Sequence, residues 1–367
     1  MKQNAVQYHF RHKALANLCL KFINNLIRRV FTRNLFISSK LYLNVLSKLS
    51  LKSPKTALLV LALLLLSSSW DVQANGKKAR AGNRSDAIIL PSPVINYVRP
   101  TLYLGSGDFV GPADIWDPRK GFLVQSINPE LYNLNFPTTG AHNLYFDLLI
   151  TGIEPEELTW APVTHEGITA TVTNVAPYDG WIPFENWGKV VARVTLTGPE
   201  ARNQQNNPNP IRITVPRLPQ TFELVGRDIN TGDEIVKYGF SLKQWFVNRP
   251  GNQYEPYSDQ LAWCNSLGYR MPRVRDLTNA VRTDNPPISG ATPLSSKNNY
   301  QRQIGAGLFT EWGPLHSYKP DTGFCSYCCY WTSDAASSRQ FHIIPNNGHV
   351  YGGREDCNGY YSVCTIP

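Results

Sequence analysis

Several things are scarce in this 367-residue chain, and each scarcity narrows what it can be. Charged residues make up only 17% of it against 42% hydrophobic, which excludes a disordered chain and favours a folded one. No acidic residue occurs before Asp71, whereas residues 1–55 hold eleven lysines and arginines. The formal net charge of +9 is therefore confined to the leader, and the body from Asn75 onward is close to neutral. That removes the global electrostatic argument for nucleic-acid binding. No Gly-x-Ser-x-Gly is present, and His142, His165, His316, His342 and His349 are scattered without a catalytic spacing. The acidic group Glu154, Glu156 and Glu157 reads as a solvated loop rather than a catalytic carboxylate pair. No catalytic residue, metal ligand or cofactor is assigned.

No apolar run reaches membrane-spanning length. The longest, Ala57–Leu66, is ten residues, about 15 Å of helix against a bilayer core of about 30 Å. Basic residues precede it and Val72-Gln73-Ala74 follows as a small-x-small cleavage site, the order of a secretory signal. Residues 1–74 are read as an extended signal peptide. A misplaced start codon is the competing reading of its length. The mature chain is expected to be exported from a Gram-negative cell, secreted or held at its surface, not membrane-spanning and monomeric.

Cysteine is missing from the long stretch between Cys19 and Cys264. The other six (Cys264, Cys325, Cys328, Cys329, Cys357 and Cys364) crowd the C-terminal part. An even number in an exported segment implies a disulfide framework, with fifteen possible pairings. Cys325-x-x-Cys328-Cys329 with His342 and His349 nearby could hold zinc, but an exported protein favours oxidation.

What is present is largely strand. Residues 75–92 form a polar linker. Over residues 93–219, Gly121–Ile127, Asn143–Ile153, Ile168–Val175, Lys189–Thr197 and Ile211–Val215 suit strands between Pro, Gly and Asn turns. Evenly spaced strands without helical periodicity indicate an all-β immunoglobulin-like sandwich. Residues 220–367 mix types. Thr221–Asp228 and Ile235–Phe240 read as strands, and Ser258 caps a helix that Gly268 ends. A second helix covers Val274–Val281. Leu308–Trp312, Tyr330–Ser333, Gln340–Ile344, His349–Tyr351 and Tyr361–Thr365 are expected strands, with a turn at Asn346-Asn347-Gly348. The fold class is therefore multidomain, the sandwich followed by an α+β domain.

Four segments carry a family resemblance: Ala262-Trp263-Cys264-Asn265-Ser266-Leu267-Gly268-Tyr269-Arg270-Met271-Pro272, Gly307–Gly313, Tyr330-Trp331-Thr332-Ser333, and Val363-Cys364. Together they resemble the C-type-lectin-like domains that end the intimin and invasin adhesins of enteric bacteria, which follow immunoglobulin-like repeats. The resemblance implies a bond between the first helix and the last strand, and Cys264 and Cys364 occupy the matching positions. Closing a loop of that length is worth roughly 4–5 kcal/mol in the chain-entropy model. Cys325, Cys328, Cys329 and Cys357 have no matching positions, and two further bonds among them are expected. The membrane β-barrel that precedes such repeats has no counterpart, and neither do the Glu-Pro-Asn and Trp-Asn-Asp motifs of calcium-dependent lectins.

The resemblance implies receptor recognition by the lectin-like domain on an immunoglobulin-like spacer. The expected partner is a host or neighbouring-cell surface protein, with glycan as the alternative. A formylglycine-generating type of enzyme on a related fold, or a calcium-independent lectin, competes with it. Rigid aromatics suit a contact surface. Tyr318, Tyr327, Tyr351 and Tyr360 are the candidates, while Trp312, Tyr330 and Trp331 are expected in the core.

Overall fold

The computed structural model describes residues 92–250, 255–318, 322–337, 339–352 and 360–367. The expected signal peptide, nearly all of the linker, and Cys357 lie outside these residues. The described chain is mostly β, with few and short helices.

In chain order the first nine strands are β1 (Val94–Arg99), β2 (Trp116–Asp117), β3 (Gly121–Leu123), β4 (Thr139–Ala141), β5 (Tyr145–Thr151), β6 (Leu158–Trp160), β7 (Val163–His165), β8 (Ile168–Val175) and β9 (Val191–Thr197). Seven of them form one sheet, ordered β2-β3-β1-β5-β9-β8-β7. Strand alternation turns Ala192, Val194 and Leu196 of β9 inward, beside Phe146 and Leu148 of β5 and Ala170 and Val172 of β8. A second sheet, β11-β10-β6, is built from β10 (Gln220–Asp228), β11 (Glu234–Leu242) and β6. Phe146 meets Tyr238 and Phe240 of β11 edge-on, so the two sheets face each other across an aromatic layer.

β10 and β11 were expected to open the second domain. β10 instead pairs antiparallel with β6, Gly226 opposite Trp160 and Asp228 opposite Leu158. Both strands therefore share a sheet with β6, the sheet that faces the seven-stranded one.

The remaining elements are β12 (Gln244–Asn248), α1 (Tyr257–Leu267), α2 (Val274–Leu277), β13 (Val281–Arg282), β14 (Ile288–Ser289), α3 (Leu308–Trp312), β15 (Cys329–Ala336), β16 (Arg339–Ile343), β17 (Val350–Tyr351), β18 (Tyr360–Tyr361) and β19 (Val363–Thr365). α1 buries Trp263, Cys264 and Leu267, and Gly268 closes it at φ 87°, a left-handed C-terminal cap. Cys264 of α1 is bonded to Cys364 of β19, with 5.4 Å between their Cα atoms. No helix among the described residues is long and apolar enough to cross a membrane.

Five local expectations need correction. Leu308–Trp312 is a helix, not a strand: it lies between Gly307 and Gly313, both at positive φ, and five residues are too few for periodicity to decide. Ile211–Val215 forms no strand. The second helix stops at Leu277, and Val281 belongs to β13. Ser258 lies inside α1, whose N-cap is Pro256. The strand expected over Gly121–Ile127 ends at Leu123.

Segments near Thr101 and Thr138 are joined to the region of Arg302–Tyr318 by buried polar bonds. β12 pairs with β19 on one side and, in parallel, with β4 on the other, so β4 completes a C-terminal sheet. Glu311 of α3 is fully buried and reaches the same segment. Its carboxylate accepts from Thr138 N, Thr138 Oγ1, Thr139 N, Thr139 Oγ1 and Gly305 N. Burial pushes this carboxyl above its ordinary range, and the hydrogen bonds oppose that push. Nearby, the fully buried Arg302 donates to the carbonyls of Thr101, Tyr103 and Glu311 at 2.6, 3.0 and 2.9 Å. Its guanidinium lies 4.7 Å from the centre of the Trp116 ring. Trp312 Nε1 donates to Thr139 O at 2.9 Å and its ring packs on Phe136.

Removing an acceptor that serves so many buried donors is costly. Glu311→Ala is expected to lose about 3–5 kcal/mol, and Glu311→Gln less. Denaturant unfolding followed by circular dichroism measures both. An alanine variant within about 0.5 kcal/mol of the parent would contradict the seam.

Candidate functional site

A four-stranded sheet, separate from β19-β12-β4, runs β17-β16-β15-β18. Its register builds one aromatic row. Trp331 of β15 stands opposite His342 of β16, and His342 opposite Tyr351 of β17. Residues directly opposite share a face, so three rings from three strands line up. β18 runs parallel to β15 and brings Tyr360 onto Trp331, stacked at 4.5 Å between centroids. Tyr257, at the start of α1, meets the edge of Trp331 at 5.9 Å. His342 stacks on Tyr351 at 5.5 Å and touches Tyr360 edge-on at 5.3 Å, and His349 extends the row against Tyr351.

The other face of β15 explains why this row exists. Strand alternation sends Tyr330 inward, fully buried against Phe309, Phe324 and Tyr361. Trp331 is consequently turned out and only half-buried, as are Tyr257, Tyr351 and Tyr360. His342 is the buried centre of the row. Burial pushes its imidazole down to about 4, so it is uncharged at neutral pH. The surface is apolar in its rings and polar at its phenol and indole edges. It can stack on flat or apolar groups and hydrogen-bond at its rim.

Disulfides brace this region. Cys264–Cys364 ties α1 to the strand beside β12. Cys325 is bonded to Cys328, with 5.6 Å between Cα atoms, and Cys329 is also disulfide-bonded. Those bonds use up the thiols that a zinc site would need. Among the described residues no group of three or more His, Cys, Asp or Glu is placed to hold a metal ion.

The sequence candidates separate. Tyr327 is 68% exposed. Tyr351 and Tyr360 come together in the row with Trp331. Tyr318, expected on the surface, is 2% exposed and belongs to the seam. Its hydroxyl accepts from Thr101 N at 2.9 Å and donates to Trp312 O at 2.8 Å. Trp312 and Tyr330 are core, as expected, but Trp331 is not fully so. His342, considered only beside the cysteines, and Tyr257 were not among the contact-surface candidates. The apolar alternation around Trp331 hinted at a two-faced strand, but only the register brings His342 beside it.

Comparison with known proteins bears on this arrangement. No family model matches the chain. Over 133 residues, 36% of its length, it is 26% identical to the inverse autotransporter adhesin YeeJ of Escherichia coli (strain K12). The chain is similar to intimin/invasin-type adhesins. The match spans about 5% of that much longer adhesin. A crystal structure of invasin, described as a bacterial integrin-binding protein, aligns over 75% of this chain and 40% of its own at 13% identity and a TM-score of 0.44. The motif segments quoted from the sequence lie in α1, α3, β15 and β19 of this adhesin-like chain.

The neutral His342 gives a pH signature. Its folded-state value lies below the ordinary 6.5, so its contribution is intact above pH 6.5 and is lost as pH falls toward about 4. Full titration would remove on the order of 3 kcal/mol. Thermal unfolding between pH 7 and 4 is expected to show this loss, and His342→Phe to flatten it. An unchanged slope in that variant would contradict the assignment.

Proposed function

We propose that the chain is an exported, adhesin-like binding protein whose C-terminal, C-type-lectin-like part recognises a protein on a host or neighbouring cell. An immunoglobulin-like sandwich acts as its spacer. In this reading the hand-over between them falls after β11, because β10 pairs with β6. The observation that carries the proposal is the half-buried row of Trp331, Tyr351 and Tyr360, held in register on a sheet whose strand β15 begins at the disulfide-bonded Cys329. Rings already fixed by their neighbours lose little freedom on binding, and Trp and Tyr are the side chains that contribute most at protein interfaces. Similarity to an adhesin supports binding over catalysis, and so does the bonding of the described cysteines, which leaves no free thiol for formylglycine-type chemistry among them.

A glycan partner is the second reading, favoured by the parallel Trp331–Tyr360 stack, whose exposed side would suit a sugar ring.

The test uses the full mature chain. Binding to intact cells, measured by flow cytometry, is expected to fall by more than about tenfold in a Trp331→Ala, Tyr360→Ala double variant. Phe184→Ala, which changes an exposed ring far along the chain, leaves binding unchanged. Parent-level binding by the double variant refutes the proposed surface. Pretreating the cells with glycosidases decides the partner: binding that survives favours protein, and binding abolished favours glycan.

A further inference from the structure

A second surface lies on the sandwich and has no part in the reading above. On β1, β5 and β9 the residues Arg99, Asp147 and Arg193 stand directly opposite one another, on the face turned away from β10 and β11. Asp147 is fully buried and shared: Arg99 donates to it at 3.3 Å and Arg193 at 2.7 Å. The loop between β8 and β9 folds over this ladder, and its Asp179 lies 3.5 Å from Arg193. Buried Trp181 and Ile182 anchor the loop, and Trp187 Nε1 donates to Ile182 O at 2.9 Å. A short turn between β2 and β3 makes the opposite wall. Arg119 of that turn pairs with Glu185 of the loop, tying the two walls together.

Between these walls is a cleft of about 550 Å³, within the size range of small-ligand sites. Tyr97 and Leu149 are part of its lining, with the amides of Asn96 and Asn186. Arg99, Arg119, Lys120 and Lys189 line it with Glu154 and Glu156; Asp147 and Glu185 pair with Arg99 and Arg119, so Lys120 and Lys189 are the lining cations that hold no ion pair among the described residues. Lys120 is held 4.8 Å over the Tyr97 ring. Arg99 is only 1% exposed, and its Nε has no hydrogen-bond partner among the described residues. A buried guanidinium that shares its one carboxylate and leaves a donor unpaired is costly, and folding alone does not require it.

We propose that this cleft is a binding site for a carboxylate-bearing saccharide. Lys120 and Lys189 meet the carboxylate, Asn96 and Asn186 hydrogen-bond ring hydroxyls, and Tyr97 supplies an apolar face. The volume, the two lysines without an ion pair, the lining asparagines and the buried arginine with an unpaired Nε all fit a small, anionic, hydroxyl-rich ligand. A neutral apolar one would leave them unused.

Isothermal titration of the full mature chain with N-acetylneuraminic acid, and with N-acetylglucosamine as the neutral counterpart, tests this. The acidic sugar is expected to bind at least about tenfold more tightly, and more weakly as salt rises. The double variant Lys120→Ala, Lys189→Ala changes only exposed side chains, so it should fold as the parent does. It is expected to weaken acidic-sugar binding by at least about fivefold. Trp331→Ala should leave this binding untouched, which separates the cleft from the aromatic row. Equal affinity for both sugars, no binding of the acidic one, or a double variant that binds like the parent overturns the proposal.

Discussion

The carboxylate of Glu311 sits where no charged group is at ease, fully buried and far in sequence from most of what it touches. It is tolerable there because the amides and hydroxyls of Thr138 and Thr139 converge on it. Those residues lead into and begin β4, the strand that crosses to pair with β12. One buried acceptor therefore fixes the segment that supplies a strand to the β19-β12-β4 sheet. Arg302 and Tyr318 reinforce it by bonding the backbone of Thr101. Apolar contacts such as Phe136 on Trp312 fill the same seam. Packing of this kind supplies area, but directed hydrogen bonds select one arrangement, because any other would strand buried polar groups.

Rigidity at the seam has a consequence for binding. The half-buried row on β15–β18 stands on a sheet whose inner face, through Tyr330, packs on Phe309 of the same helix that carries Glu311. The Cys264–Cys364 bond holds α1 against β19, the strand paired with β12. A binding surface carried on fixed elements is ordered before its partner arrives, and the entropy of ordering is not drawn from the binding energy. The row is also electrically quiet, since His342 remains neutral at physiological pH. The cleft beside β1 and β5 differs: it is lined by charged as well as apolar side chains, and an ion pair ties its walls together.

Much of this was legible in the sequence, and the part that was not has physical reasons. Ile168–Val175 was read as a strand to the residue, because its alternation is strict and one face is buried. The helix ending at Gly268 and the Cys264–Cys364 pair also followed, the first from local chemistry and the second from family resemblance. Leu308–Trp312 failed because two glycines in unusual conformations shape a turn too short to show a period. Tyr318 failed for another reason. Its partner Thr101 lies 217 residues away, and a tyrosine in a loop-like segment gives no local sign of such a bond. The same limit hid His342, whose place in the row depends on the register of β15 and β16. β4 escaped notice altogether, since it is three residues long, its Gly140 and Ala141 have little strand propensity, and it pairs with β12 from far along the chain.

The central claim is that the chain binds through the outward face of the β15–β18 sheet. Amide hydrogen exchange of the chain, free and bound to intact cells, tests it most directly. The account predicts slowed exchange concentrated in β15, β17 and β18 around Trp331, Tyr351 and Tyr360, with β8 and β9 unchanged. Protection confined to the sandwich, or absent from the whole chain when cells are bound, would contradict it.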